Sequence, residues 1–255
     1  MNSIRRSIIG DLFQTRPFIS LHELEEMFPD VSSMTLRRDI EYYEKKGDVI
    51  KVRGGARSMK FIVNSDDDAF NLRLHLNSDA KRKVAKAALQ FIEPGRSIFL
   101  DSGTTVLSLV EYMPNDRITV TTTGLNVALE IMKKDMPIVN IVGGMINRGN
   151  ITVSGNQALD FLDGINIDVA FVVPSGVSAK EGLTCGNYSD CDLKRKVVEK
   201  ARKVVLLMDA SKNNKCLPYT FAEIKDVDYI ISDEALPMDM AKCAMDAGVE
   251  IIVAE

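Results

Sequence analysis

The sequence predicts an α/β chain in two parts: a small helical unit closed by a β-ribbon, then a larger domain built on a mostly parallel sheet. Three observations lead there. Short apolar runs at residues 97–100, 118–122, 138–142, 169–173, 204–208 and 229–232 are mostly separated by helical segments, the alternation that builds a parallel sheet. Ahead of them, three helix-like segments run into Val49-Ile50-Lys51-Val52-Arg53-Gly54-Gly55-Ala56, where apolar and basic residues alternate before a glycine turn. The charge also divides: residues 1–60 carry 11 Lys and Arg against 9 Asp and Glu, whereas residues 61–255 carry 21 against 27.

At 255 residues, 45% hydrophobic and 27% charged, the chain is long enough for two folded domains and has the composition of a globular protein. No apolar run approaches the roughly 20 residues that span a bilayer. The first residues turn acidic and aromatic where a signal peptide would continue apolar, so a cytoplasmic chain without a membrane partner is expected. Cys185, Cys191, Cys216 and Cys243 form no CxxC pair, and only His22 and His75 could add imidazole ligands. Neither a metal site nor a disulfide framework is expected, and no cofactor.

In the first part, Ile4, Ile8 and Leu12 recur every four residues and predict a helix that stops before Pro17. Ser20 with Glu23 fits a capping box for a second helix, whose apolar face carries Leu21, Leu24 and Phe28. Ser32 caps a third, which runs to Gly47 with Leu36, Ile40 and Tyr43 toward the core and Met34, Arg37, Arg38 and Glu41 outward. From Val31 to Arg57 there are 7 basic and 4 acidic residues, so a basic patch coincides with this helix and the ribbon after it. That is the pattern of a winged helix-turn-helix, with DNA as the expected partner. Ser33, Met34, Thr35, Arg37 and Arg38 would face the major groove, where arginines reach base edges or phosphates. Lys51 and Arg53 on the wing would contact phosphates, setting affinity and salt dependence more than specificity. One short helix reads few base pairs, so paired half-sites and a homo-oligomer, dimer or tetramer, are expected.

Residues 58–75 contain Asp66-Asp67-Asp68 and no clear period, and read as a linker between a domain at 1–57 and one at 76–255. In the second domain polar residues collect after the strands, where open parallel sheets bind ligands. Asp101-Ser102-Gly103-Thr104-Thr105 leads into an apolar helix; hydroxyls, a glycine and helix amides together suit an anion, although a helix cap uses the same residue types. Thr123 and Asn126, Gly143 and Gly144, Ser175 and Gly176, Gly182-Leu183-Thr184, and Asp209 with Lys212 supply further strand-end loops. Lys194, at the start of an apparent helix, and Lys212 are candidate cations for a phosphate.

The Val31-Ser32, Thr35-Leu36-Arg37-Arg38-Asp39-Ile40 and Gly54-Gly55-Ala56 motifs resemble the DNA-binding domain of the DeoR family of bacterial transcription regulators. The second domain resembles that family's sensor domain, similar in fold to ribose-5-phosphate isomerase. The match lies at Asp101–Thr105, Thr123 and Asn126, Gly143-Gly144, Gly182-Leu183-Thr184, Lys194, and Asp209 with Ser211 and Lys212. The resemblance implies a repressor of carbohydrate use, bound to operator DNA and controlled by a phosphorylated sugar or related metabolite. Three places depart from the pattern, one of them over several residues. Phe171-Val172-Val173-Pro174-Ser175-Gly176 stands where the family has F-[IL]-G-A-x-G, Thr123 replaces an asparagine, and Cys191 replaces a common alanine, so an altered pocket floor is expected. The alternative is a sugar-phosphate isomerase-like enzyme with a DNA-binding appendage. Besides Asp101 it needs a second carboxylate and a lysine grouped in one glycine-bounded segment, and the sequence presents no such segment.

Overall fold

The computed structural model describes residues 2–58, 70, 73, 74 and 76–255. The chain divides into two compact units, Met1–Leu76 and Asn77–Glu255. Ser58, the first residue of the expected linker, belongs instead to a strand and is buried; Phe70 is buried too, and most of the remainder lies outside the described residues. His75 and the side chain of Ile4 also lie outside them.

The first unit comprises α1 (Asn2–Thr15), β1 (Phe18–Ser20), α2 (Leu21–Met27), α3 (Ser33–Lys45), β2 (Val49–Val52) and β3 (Gly55–Ser58). The expected caps form. Ser20 Oγ accepts from the Glu23 amide at 3.0 Å while Glu23 accepts from the Ser20 amide at 2.8 Å, and Ser32 Oγ accepts from the Thr35 amide at 3.3 Å. Strand β1, absent from the sequence reading, pairs antiparallel with β3, giving the order β1-β3-β2.

Two stripes differ from expectation. On α1 the buried residues are Ile9 and Phe13, while Ile8 is exposed. The run Ile8-Ile9 and Leu12-Phe13 supports two apolar faces about 100° apart, and packing selects the one whose Phe13 ring meets Tyr43 of α3 edge-on, centroids 5.8 Å apart. On β2, Val49 is buried, Ile50 half-buried, and Lys51 and Val52 exposed. Burial falls steadily along this edge strand as it leaves the helices, in place of the expected alternation.

The second unit begins with α4 (Ser78–Ala88) and alternates through β4 (Ser97–Leu100), α5 (Thr104–Tyr112), β5 (Thr119–Thr122), α6 (Leu125–Ile131) and β6 (Ile138–Ile141). It continues through the hairpin β7 (Met145–Asn147) and β8 (Thr152–Ser154), α7 (Asn156–Asp163), β9 (Val169–Val172), β10 (Gly176–Ser178), β11 (Gly182–Cys185) and α8 (Tyr188–Lys200). Next come β12 (Val204–Met208), β13 (Tyr219–Ala222), β14 (Tyr229–Ser232), α9 (Met238–Asp246) and β15 (Glu250–Val253). Seven strands form one parallel sheet in the order β15-β14-β12-β9-β4-β5-β6. Apolar clusters cover both faces: Phe99 points into one and its neighbours Ile98 and Leu100 into the other. Burial on both sides explains why β12 reads as an unbroken apolar run, Val-Val-Leu-Leu-Met. The six strands expected from the sequence are all present, with ends shifted by at most one residue. Strand β15 and the small antiparallel sheet β10-β11-β13 were not expected. No helix among the described residues is long and apolar enough to cross a membrane.

Candidate functional site

In the first unit Leu36, Asp39, Ile40 and Tyr43 are the buried residues of α3, leaving Ser33, Met34, Arg37 and Arg38 exposed on the opposite side, with Thr35 half-buried at the start of the helix. Thr35 Oγ1 lies 3.0 Å from Ser32 Oγ, so its hydroxyl already serves the cap. Lys51 is exposed but occupied: its Nζ donates to Glu41 Oε1 at 2.7 Å, and that bond holds the Glu41 carboxyl below its usual range. Arg53 is exposed on the turn into Gly54, whose φ of 88° is left-handed. At Gly55 a Cβ would collide with the Ile19 carbonyl oxygen, because β1 and β3 pair there. The Gly-Gly-Ala motif is thus a turn, a close strand approach and a buried core residue in succession.

Asp39 supplies what the sequence reading lacked. It is 1% exposed and accepts from Arg5 Nε at 2.6 Å and Arg6 Nε at 2.8 Å, while Tyr43 Oη donates to the Arg6 carbonyl. Arg6 also lies over the Tyr42 ring, 4.3 Å from its centroid. The aspartate of the Thr-Leu-Arg-Arg-Asp-Ile run therefore fixes α1 against α3 and sets the pose of the arginine face. A buried carboxylate persists only when paired and hydrogen-bonded, which these two guanidinium groups achieve.

In the second unit all strands of the main sheet run the same way, so the loops after β14, β12, β9, β4, β5 and β6 share one edge. At its centre, after β4, Asp101 is 1% exposed. Its Oδ1 accepts from the Ser102 amide at 2.8 Å and its Oδ2 from the Val173 amide at 2.9 Å, and Lys194 Nζ donates both to Oδ2 and, at 2.9 Å, to the Val173 carbonyl. Asp190 Oδ2 lies 4.0 Å from the same ammonium, and the Phe221 ring centroid 5.5 Å away. Burial on its own would lower the Lys194 pKa, but Asp101 and Asp190 outweigh it and leave the group above the ordinary lysine value. Lys194 is not at a helix start as expected. It sits in the middle of α8, which Asn187 caps by accepting from the Asp190 amide at 3.1 Å, and that depth is what carries it under the sheet edge.

Gly103 begins α5 without a side-chain cap, so the first-turn amides of that helix stay open beside Thr104 and Thr105. Thr122 Oγ1 accepts from the Gly124 amide at 3.0 Å, and the position of a Cβ on Gly124 would touch Ser102, so the loop holding Thr123 and Asn126 packs against the Asp101–Thr105 loop. Val173, one of the departures from the family pattern, covers Gly103: a Cβ on Gly103 would overlap Val173 Cγ2. The floor expected to change is here filled by a branched side chain, with Pro174 buried behind it.

The remaining candidates spread along the edge. Gly143 and Gly144 are exposed between β6 and the β7–β8 hairpin, and β8 meets the neighbouring loop where the Val153 amide donates to the Thr123 carbonyl at 2.8 Å. Gly176 pairs with Thr184 in the β10–β11 ladder and Ser175 donates to the Thr184 carbonyl, so this pair and Gly182-Leu183-Thr184 build the small sheet. Asp209 caps a short 3-10 turn containing Lys212, accepting at 3.0 Å from both Ser211 N and Asn77 Nδ2. The buried Asp190 and Lys81 were missed. The i to i+4 spacing of Asp190 and Lys194 on one helix is the signal that could have found the first. The Cys185 thiol is pushed up to about 12 by burial, which makes it inert as a nucleophile. Among the described residues no group of three or more His, Cys, Asp or Glu side chains is placed to hold a metal ion.

Residues 5–61 match a family model described as the DeoR-like helix-turn-helix domain, and residues 76–234 match the DeoR C terminal sensor domain. The chain is 30% identical over 254 residues to the HTH-type transcriptional regulator GolR of Listeria innocua, covering 98% of each chain. It is 29% identical over 226 residues to the HTH-type transcriptional repressor GlcR of Bacillus subtilis, covering 88% of this chain and 86% of that one. Among solved structures, ribose 5-phosphate isomerase A of Methanocaldococcus jannaschii aligns at TM-score 0.40 and 22% identity, over 54% of this chain and 55% of that one, so this chain spans about half the isomerase's length. With both of its units matched by the paired models and its full length matched by named regulators, the chain belongs to the DeoR family of transcriptional regulators.

Proposed function

We propose that this chain is a DNA-binding repressor of a carbohydrate-use operon, controlled by a phosphorylated sugar or related metabolite held at the sheet edge. The observation that carries the effector reading is the buried Lys194 ammonium, beside the uncapped amino end of α5 and the hydroxyls of Thr104 and Thr105. A phosphate needs a cation and convergent N–H donors; α8 supplies the first and the start of α5 the second. Ser102, Thr123 and Asn126 are the side chains that would orient the sugar. Lys194 is held by Asp101 before any ligand arrives, so an incoming anion competes with a carboxylate already in place. That competition gives the bound and free states different contacts, which a ligand must have to shift an equilibrium.

On the DNA side, Ser33, Met34, Arg37 and Arg38 form the face that enters the major groove, with Arg53 and Lys51 toward the backbone. Lys51 must exchange Glu41 for a phosphate, so its net contribution is smaller than that of an unpaired lysine. Two copies on paired half-sites supply the specificity one short helix lacks.

One observation favours the enzyme reading: Asp190 is the second carboxylate that the sequence did not place, and the fold brings it to Lys194 and Asp101. Against it, Asp101 accepts three N–H bonds and the Lys194 ammonium is held by Asp101 and the Val173 carbonyl with Asp190 4.0 Å away, so both groups are already engaged within the protein. The test of both readings is anisotropy of labelled upstream DNA at fixed salt, with and without a panel of sugar phosphates, alongside an assay for isomerisation of each. Tight binding released by one phosphate without turnover is the expected result. Turnover of any panel member sinks the repressor-only reading, and indifference of bound DNA to every phosphate sinks the effector reading.

A further inference from the structure

Strand β6 ends the seven-stranded sheet, and among the described residues no strand pairs with its outer side. Its Ile138 and Val142 amides donate inward to the Ile118 and Thr122 carbonyls, so by alternation Val139 and Ile141 present their N–H groups outward. Such an edge invites another chain unless charge, proline or a covering element blocks it, and Pro137, ahead of the strand, removes neither of these two outward amides. The opposite edge, β15, is flanked by Glu250 and Glu255, whereas residues 137–147 carry no charge at all. Exposed apolar side chains flank the β6 edge, and the charged Lys133, Lys134 and Asp135 lie in the connection leading into it. Ile138 and Ile141 are exposed on its two faces, Leu129 and Met132 on the outer side of α6, Met136 in the connection, and Met145 and Ile146 just beyond, at relative exposures from 39% to 72%. These seven side chains present on the order of 800 Å², about one partner's share of a standard stable interface and more than a typical monomer leaves bare.

We infer that a second copy of this chain covers this edge, joined about a two-fold axis with β6 antiparallel to its counterpart. A strand run antiparallel to itself satisfies its own outward amides and carbonyls, and an isologous contact needs only one patch to be self-complementary, as the uncharged stretch 137–147 is. The inference takes from the proposed function only the need for a second copy. Its test reads mass without DNA or ligand, so failure here leaves the DNA and anion readings standing.

The experiment is sedimentation velocity of the full chain across the micromolar range, for wild type, I138K/I141K, L129E/M132E and the remote control M238E, whose site on α9 is 88% exposed. Wild type and M238E should sediment as a dimer or larger even-numbered assembly. Each double variant should halve that mass or weaken self-association about 100-fold, since like charges then face each other across the two-fold. Far-UV CD melts check that the variants are folded. Should they not be, N140C in a C216S background, treated with a short bis-maleimide, should form covalent dimers that the C216S parent does not. A wild-type monomer throughout the range overturns the proposal and assigns the edge to a different partner. Folded variants with wild-type mass, or an Asn140→Cys chain that does not cross-link, overturn it as well.

Discussion

Replacing Lys194 by methionine keeps most of its volume and removes a cation that lies between Asp101 and Asp190. The Lys194 side chain is 6% exposed and that of Asp101 1%, so solvent screens the pair little. At an effective dielectric of 20, a unit charge at 4.0 Å, the Asp190 distance, is attracted by about 4 kcal/mol, and Asp101 is nearer still. Desolvation offsets much of this while the pair is intact, but deleting the ammonium leaves the buried Asp101 carboxylate without its charged partner. Lys194→Met should therefore cost about 3–5 kcal/mol of stability. Asp101→Asn, which removes that uncompensated charge, should make the double variant more stable than the sum of the two single losses by about 1–3 kcal/mol. Urea denaturation of the full chain, followed by far-UV CD, gives the four free energies of the cycle. The pH dependence has a definite sign. Because the folded pKa of Lys194 is raised, its contribution is complete below the ordinary value of 10.5 and is lost as pH climbs past the folded one; Lys194→Met should lack that alkaline loss. Strict additivity in the cycle, or an alkaline limb unchanged in the variant, would refute the reasoning that this ion pair is coupled and buried.

Gly55→Ala should destabilise the first unit by about 1–3 kcal/mol or more, because its Cβ meets the Ile19 carbonyl; a wild-type melt of DNA-binding competence with temperature would show that β1 is not packed there. Arg38→Ala, on the exposed face of α3, should weaken operator binding by about 1–3 kcal/mol and relax discrimination at one base position if it pairs bidentately, and equal losses on cognate and scrambled DNA would reassign it to a phosphate. Lys51→Ala should lower affinity for all sequences alike and reduce the salt slope by about one phosphate contact. A slope equal to wild type would mean that Lys51 stays with Glu41 on DNA. Val173→Gly, which uncovers Gly103, should broaden the range of phosphates that release DNA, read from the same anisotropy panel, and an unchanged ranking would remove Val173 from the pocket floor.

Local chemistry was legible in the chain. Ser20 with Glu23, Ser32 before α3 and the left-handed Gly47 depend on neighbours a few residues away, so their residue types announce them. Strands β4, β9, β12 and β14 showed because burial on both faces demands apolar runs, and the Asp101–Thr105 loop showed because a strand, a glycine and hydroxyls must follow one another there. What the chain could not announce are contacts between residues far apart in it. Asp39 stood only as one letter of the Thr-Leu-Arg-Arg-Asp-Ile motif, and its burial shows once Arg5 and Arg6, more than thirty positions earlier, close on it. Lys194 looked like a helix-start cation, and only the packing of α8 against the sheet buries it on Asp101, 93 positions away. Which face of α1 is inside, and that β6 is an edge and not a central strand, are likewise decided by tertiary packing. Ile8 and Ile9 have the same hydrophobicity, and Ile138 in β6 has the same side chain as Ile98 in β4; only the neighbouring elements determine which of them meets solvent.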